Sequence, residues 1–251
     1  MNILVLILIA VLGLCVGSFC NVLIFRIPKG EEFVKTSSHC MHCGHQLKWY
    51  ENIPLLSFAM QKGRCRACGA ALSPQYPAVE AINGILWLLA GICFGGDYLK
   101  IALCCCLVSL CIVISLIDWR TYEIPNGLNL AIFVLGLVRL FTDLGNWQSY
   151  LIGMVCVSLL FLILWFATGG NGIGMGDVKL MGAAGLLLGW KSILLALIIG
   201  SVSGSIIHIV RMRRSGEGKK LAFGPYLSAG IIIAALFGDA IIGAYLGLFG
   251  L

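Results

Sequence analysis

The sequence predicts an all-α polytopic membrane protein of eight transmembrane helices, with one small hydrophilic module on the cytoplasmic side between the first helix and the second. Three observations predict it. Sixty percent of the 251 residues are hydrophobic and only 11% are charged, which is too apolar for a soluble domain of this size. Several uninterrupted apolar runs approach or exceed the ~18 to 20 residues that cross a bilayer as helix. The basic residues also obey a side: with eight crossings, Lys100, Arg139 and Lys191 fall outside and the other fourteen of the 17 Lys and Arg fall inside, a strong positive-inside bias. The net charge of +6 therefore follows the membrane and gives no reason to expect nucleic acid.

The first apolar run covers 3–25. No basic residue precedes it, and the first positive charges come after it at Arg26 and Lys29. That order predicts an anchor helix with its amino terminus outside rather than a cleaved signal. Its second half, Gly17 to Pro28, is small and polar where lipid-facing residues would be expected. Gly17 and Ser18 suit close helix packing, while Asn21 and Arg26 are candidates for lining a site.

Residues 27–77 form the only sizeable hydrophilic segment and carry Cys40-Met41-His42-Cys43 and Cys65-Arg66-Ala67-Cys68. Two such pairs present four thiolates to one tetrahedral ion, and a segment with little core needs a staple of this kind. The 21 intervening residues slightly exceed the usual spacing of about 15 to 20. Gly44 and Gly69 suit the tight turn of a knuckle. His39, His42 or His45 could replace a thiolate, and two disulfides are the alternative. The inner side of the membrane is reducing, which favours zinc. The other eight of the 12 cysteines lie in apolar runs, where Cys acts as a small hydrophobe.

The second run, 78–95, places Glu80 in its first turn, where the helix dipole favours a carboxylate; a substrate-facing role is the other reading. The third run, Ile101 to Ile117, leads to Asp118. Asp118 could cap that helix or pair with Arg120. The fourth run, 127–141, follows Pro125, whose fixed φ suits a helix entry, and the fifth covers 150–167. A glycine-rich loop, Gly172 to Lys179, precedes a short run from Leu180 to Trp190. Eleven apolar residues could also make a re-entrant segment, but without a crossing there the basic stretch Arg211 to Lys220 would be exported. The last two runs cover 192–210 and 225–248. The parts are thus a first helix (1–26), a cysteine module (27–77) and a seven-helix membrane domain (78–251).

Ionisable groups at membrane depth are costly and point to function. Asp118 and Asp177 fall at inner ends of separate runs, so they can face one another, share a proton and activate water. Gly172-x-Gly174-x-Gly176 lacks the spacing and trailing Lys-Ser/Thr of a phosphate loop. Gly174 and Gly176 instead give Asp177 its geometry and let backbone approach a substrate, with Lys179 beside them. A proton-coupled transporter is the other class that uses such carboxylates, and it has no evident use for a cysteine module.

Gly174-Met175-Gly176-Asp177 resembles the GxGD motif of intramembrane aspartyl peptidases. Together with Asp118, Ile124-Pro125-Asn126, Gly17 to Pro28, both cysteine pairs, Pro77 to Glu80 and Phe223-Gly224-Pro225, the chain resembles the bacterial type IV prepilin peptidases over nearly its whole length. The resemblance implies removal of the short basic leader of prepilins and pseudopilins at the cytoplasmic face of the inner membrane. It also implies methylation of the new terminal amine by S-adenosylmethionine. It makes Asp118 and Asp177 the catalytic pair and Cys40, Cys43, Cys65 and Cys68 the zinc ligands.

Overall fold

The computed structural model describes residues 1–32, 38–170, 172–215 and 222–248, with the side chains at 211 and 213–215 excepted. Lys35, Lys219 and Lys220, which the charge argument places inside, lie outside the described residues. Among the described residues the structure is helical, with two isolated β-bridges, His39 to Gln46 and Arg64 to Ala71. The α-helices are α1 (Ile3–Arg26), α2 (Leu56–Met60), α3 (Gln75–Cys93), α4 (Tyr98–Thr121), α5 (Asn126–Thr142), α6 (Trp147–Ala167), α7 (Met175–Leu188), α8 (Trp190–Ser215) and α9 (Gly224–Leu248). Among the described residues six helical segments are long and apolar enough to cross a membrane: Ile3–Lys29, Gln75–Cys93, Tyr98–Thr121, Leu144–Ala167, Trp190–Val210 and Gly224–Leu248. The other two runs expected to cross form α5, of 17 residues, and α7, of 14.

The chain divides into two compact units, Met1–Val113 and Ile114–Leu251, and α4 begins in the first and ends in the second. In the first unit α1 packs along α3. The contact is close because glycines face it: a Cβ on Gly17 would lie 2.8 Å from the Glu80 Cα, and one on Gly13 would lie 2.8 Å from the Trp87 Cβ. Gly17 therefore serves helix packing. A buried polar network secures the same contact. Asn83 Nδ2 donates to the Gly13 carbonyl at 2.7 Å, Ser109 Oγ donates to Asn83 Oδ1 at 2.8 Å, and Trp87 Nε1 donates to Ser109 Oγ at 3.0 Å. Each group is satisfied, which apolar surroundings demand.

Two boundaries differ from the sequence reading, for related reasons. Helix α3 starts at Gln75 rather than 78, because Pro77 lies in the first turn, where its missing N–H costs nothing. Glu80 consequently lies beyond the first turn, so the dipole does not explain it. Helix α7 starts at Met175, so Gly176, Asp177 and Lys179 belong to a helix rather than to a loop.

In the second unit α7 is the central element. It packs against α5, α6, α8 and α9, and Val178, Leu180 to Leu187 and Asp177 are all buried. At a rise of ~1.5 Å per residue α7 is roughly 21 Å long, but neighbours rather than lipid surround it. Small residues allow this: a Cβ on Gly185 would overlap the Gly153 carbonyl, and one on Gly136 would lie 2.9 Å from Leu186. Gly185→Val should therefore lower stability by on the order of 1 to 3 kcal/mol, the usual cost of overpacking. Gly243→Val, at a position with nothing within 4 Å, should have a far smaller effect. Unfolding of the two purified variants in the same detergent checks this, and equal midpoints would contradict the packing account.

Candidate active site and metal centre

Asp118 and Asp177 lie in the same unit. Asp118 is 5% exposed and Asp177 8%, and they are close enough for the charge of Asp118 to act on Asp177. Asp118 occupies the last turn of α4. Tyr122, with φ of 58°, then closes the helix by donating its N–H to the Asp118 carbonyl at 2.9 Å. The chain turns there and re-enters helix at α5 after Pro125, whose φ of −60° is set by its ring. The Asp118 carboxylate is held from another direction. Gly224, the first residue of α9, donates its N–H to Asp118 Oδ2 at 2.9 Å. The first N–H groups of a helix have no partner within it, so the α9 terminus is free to serve this carboxylate. A Cβ on Gly224 would lie 2.7 Å from the same oxygen; no side chain fits there.

Asp177 is in the first turn of α7. Its Oδ2 lies toward Gly174, where a Cβ would come within 3.1 Å of it. Its Oδ1 is buried and has no hydrogen-bond partner among the described residues. An unpaired buried carboxylate oxygen is expensive, so this atom marks a place where a donor belongs. Gly176 brings the α7 terminus against Ile124: a Cβ there would lie 2.9 Å from Ile124 Cβ. Asn129 Nδ2, from α5, donates to the Gly176 carbonyl at 3.3 Å, and its Oδ1 is likewise buried without a partner among the described residues. Lys179 is exposed, and its Nζ donates to Asn126 Oδ1 at 2.8 Å. It ties α7 to the start of α5 and is not a buried neighbour of the carboxylates. Asn129 and Gly224 are absent from the residues that chemistry alone selected. A lone amide inside the 127–141 run was the available signal for the first.

The four cysteines of the module converge in the first unit. Their sulfur atoms all lie within 4.8 Å of one another, and Cys40 Sγ is 4.0 Å from Cys68 Sγ. All four are free thiols. A disulfide needs sulfurs at roughly 2 Å, whereas thiolates around a tetrahedral zinc, at about 2.3 Å each, lie roughly 3.8 Å apart. The donor set thus fits a metal ion. Two matching knuckles supply it. Gly44 N–H donates to the Cys40 carbonyl and Gly69 N–H to the Cys65 carbonyl, both at 2.9 Å, with φ of 71° at Gly44 and 70° at Gly69. Glycine adopts this left-handed geometry without strain. Backbone N–H groups of Cys43 and His42 hold the Cys40 thiol down at about 7. His45 does not join the sulfurs; its Nε2 lies 3.4 Å from Glu51 Oε2. The Lys48 backbone N–H, then His45, holds the Glu51 carboxyl below its ordinary range.

Asn21, Arg26 and Glu80 are also in the first unit, and they line one cavity of about 540 Å³ together with Cys40 and Cys65. Asn21 Nδ2 donates to the Tyr76 carbonyl at 3.1 Å and more weakly to the Gly17 carbonyl at 3.4 Å. Arg26 Nη1 donates to the Glu32 carbonyl at 3.0 Å. Glu80 Oε2 accepts the Leu55 N–H at 2.9 Å, so this buried carboxylate holds the module chain against α3.

Two family models match the chain. The bacterial peptidase A24 N-terminal domain matches residues 11–94, and the type IV leader peptidase family matches residues 105–209. Among curated relatives, the prepilin leader peptidase/N-methyltransferase of Bacillus subtilis is 35% identical over 94% of this chain and 96% of its own length. That of Stutzerimonas stutzeri is 33% identical over 94% of this chain and 92% of its own length. A protein of the same name from Myxococcus xanthus is 34% identical over 82% of this chain, which spans 63% of that longer protein. No solved structure matches. A sequence so similar to these proteins over nearly its full length, with two buried aspartates and a four-cysteine cluster, belongs to the type IV leader peptidase family of aspartic peptidases.

Proposed function

We propose that this multi-pass inner-membrane protein is an endopeptidase that removes the short basic leader of prepilins and pseudopilins at the cytoplasmic face. Methylation of the new terminal amine follows. The observation that carries the reading is the pair of buried carboxylates, Asp118 at the end of α4 and Asp177 in the first turn of α7, with the charge of one acting on the other. Two carboxylates so placed hold one proton between them. The ionised member takes a proton from water while the protonated member polarises the scissile carbonyl. Asp177 Oδ1, buried and without a partner among the described residues, is where the shared proton or the attacking water can be held. The Gly224 N–H fixes Asp118, and Asn129 fixes the backbone at Gly176. Both are positioning groups.

The topology that goes with this reading has eight crossings, including the shorter α5 and α7, and both termini outside. The bias of basic residues supports it. Residues 27–77 form a cytoplasmic zinc module between the first helix (1–26) and the membrane domain (78–251). Cys40, Cys43, Cys65 and Cys68 would hold the zinc, which supplies folding energy to a segment with little core. S-adenosylmethionine, when bound, supplies an electrophilic methyl group for the amine freed by cleavage.

Asn is nearly isosteric with Asp but cannot exchange the proton. Asp118→Asn and Asp177→Asn should each stop cleavage while leaving protein level and prepilin association largely intact. The double variant should be no worse than either single one, because the two groups act as a unit. Asp97→Asn serves as the control, since Asn can keep the cap that Asp97 Oδ1 gives to the Lys100 N–H at 2.9 Å. Accumulation of uncut prepilin in cells is the measurement. Normal processing with either single variant would remove the chemistry from this reading and favour a proton-coupled carrier.

Metal analysis of the purified protein should return about one zinc per chain, lost when Cys40 and Cys65 are both replaced by Ser. Protein made in a reducing cytoplasm that carries no metal, and in which Cys40, Cys43, Cys65 and Cys68 are crosslinked to one another, would overturn both the ligand set and the side assigned to the module.

A further inference from the structure

We propose that the face of the cysteine module formed by Trp49, Ile53, Leu56 and Met60 lies in the surface of the bilayer, with anionic lipid as its partner. The face is apolar where a module in water would be polar. Trp49 is 80% exposed, Met60 72% and Leu56 60%, and Ile53 is exposed as well. The Ser57 N–H donates to the Ile53 carbonyl at 3.0 Å, so Ile53 opens the turn that leads into α2. A helix in water turns its leucines and methionines inward. Helix α2 does the reverse. Ser57, Phe58 and, just past its end, Gln61 line the cavity, while Leu56, Ala59 and Met60 lie on the opposite side of the turn and are exposed.

Two observations say what covers this face. The first is depth. Leu55, immediately before α2, donates its N–H to Glu80 Oε2 at 2.9 Å, and Glu80 is the sixth residue of the span Gln75–Cys93. At a rise of ~1.5 Å per residue the bond lies roughly 7 to 8 Å inside the start of that span. Leu55 has φ of 61° there, a conformation that leucine resists, so the entry to α2 is held at this depth against local preference. Helices that lie in a membrane surface bury their apolar face to about 5 to 10 Å, which is the same depth.

The second observation is charge. Lys48, Lys62, Arg64 and Arg66 are all exposed, and Glu51, the one acid among residues 38–74, is buried. Lys48 and Lys62 bracket the apolar stretch. Tyr50 gathers two of the cations next to the indole: Lys48 Nζ lies 5.9 Å and the Arg66 guanidinium 5.4 Å from its ring centre, and Trp49 meets the same ring edge-on at 5.7 Å. Tryptophan set among Lys and Arg is the composition of a membrane–water boundary. A basic leader peptide would be repelled by these cations, and so would the same face of a second copy. Anionic headgroups answer them.

The test is photocrosslinking of the full-length protein in nanodiscs of phosphatidylglycerol and phosphatidylcholine, with prepilin added, and with adducts read by intact mass. Leu56→benzoylphenylalanine and Met60→benzoylphenylalanine should each give lipid adducts at a yield like that of Ile85→benzoylphenylalanine, which sits at an exposed position of the α3 span. The yield should be several-fold above that of Phe58→benzoylphenylalanine, on the cavity side. Phosphatidylglycerol should be over-represented among the adducts relative to its share of the disc, and Lys48→Gln together with Lys62→Gln should remove the excess. Elution of each variant with the parent verifies its fold, and should one of the two positions fail, the other decides. Yields at 56 and 60 no higher than at 58, adducts to prepilin or to a second copy in place of lipid, or adducts in simple proportion to the lipid mixture would each overturn the proposal. None of these readouts depends on cleavage, so their failure leaves the peptidase reading standing.

Discussion

A carboxylate taken out of water must be given partners, and the second unit is arranged around that requirement for Asp118 and Asp177. Asp118 is met by the first N–H of α9, and the absence of a side chain at Gly224 is what lets that backbone reach it. Asp177 is placed by the start of α7, whose tight seat against Ile124 depends on Gly176. One helix start thus gives its first N–H to one acid, and another helix start carries the second acid. The shortness of α7 belongs to the same solution. A helix enclosed by α5, α6, α8 and α9 can end within the protein, and its first turn can carry a charge that lipid would not accept.

The first unit meets a different constraint. Its module has few apolar residues to bury, and four sulfurs converge there in a cluster that could hold a metal ion. The two knuckles repeat the same turn, with matching glycine φ values and matching bonds back to the first cysteine of each pair. Glu80 then fastens the module to α3 through the Leu55 N–H. The small residues of α1 bring it against α3 so closely that Asn21 and Tyr76 meet through the Asn21 amide. The cavity is a consequence of these attachments.

The apolar runs were legible because hydropathy over twenty residues survives any detail of packing. The 3–25 and 225–248 runs correspond to Ile3–Arg26 and Gly224–Leu248 within a residue. The glycine-rich stretch before Asp177 was less legible. Glycines read as loop by propensity, but Gly176 is helical because a neighbour leaves no room for a side chain, and that neighbour is more than fifty residues away in sequence. Glu80 was misplaced because Pro77 reads as a barrier to helix, although a helix accepts proline in its first turn. The acids and cysteines stood out by chemistry alone. Asn129 and the Gly224 N–H did not, since their importance lies in what tertiary packing brings to them.

The central claim is that Asp118 and Asp177 act as one acid and one base on the same water. The pH dependence of kcat/KM for a soluble leader-junction peptide, measured on protein in a fixed detergent or nanodisc, addresses it most directly. The account predicts a bell with two limbs that belong to the pair, falling toward acid as the base is protonated and toward alkali as the shared proton is lost. A profile with a single limb across the range in which the protein keeps its zinc and its fold would contradict it.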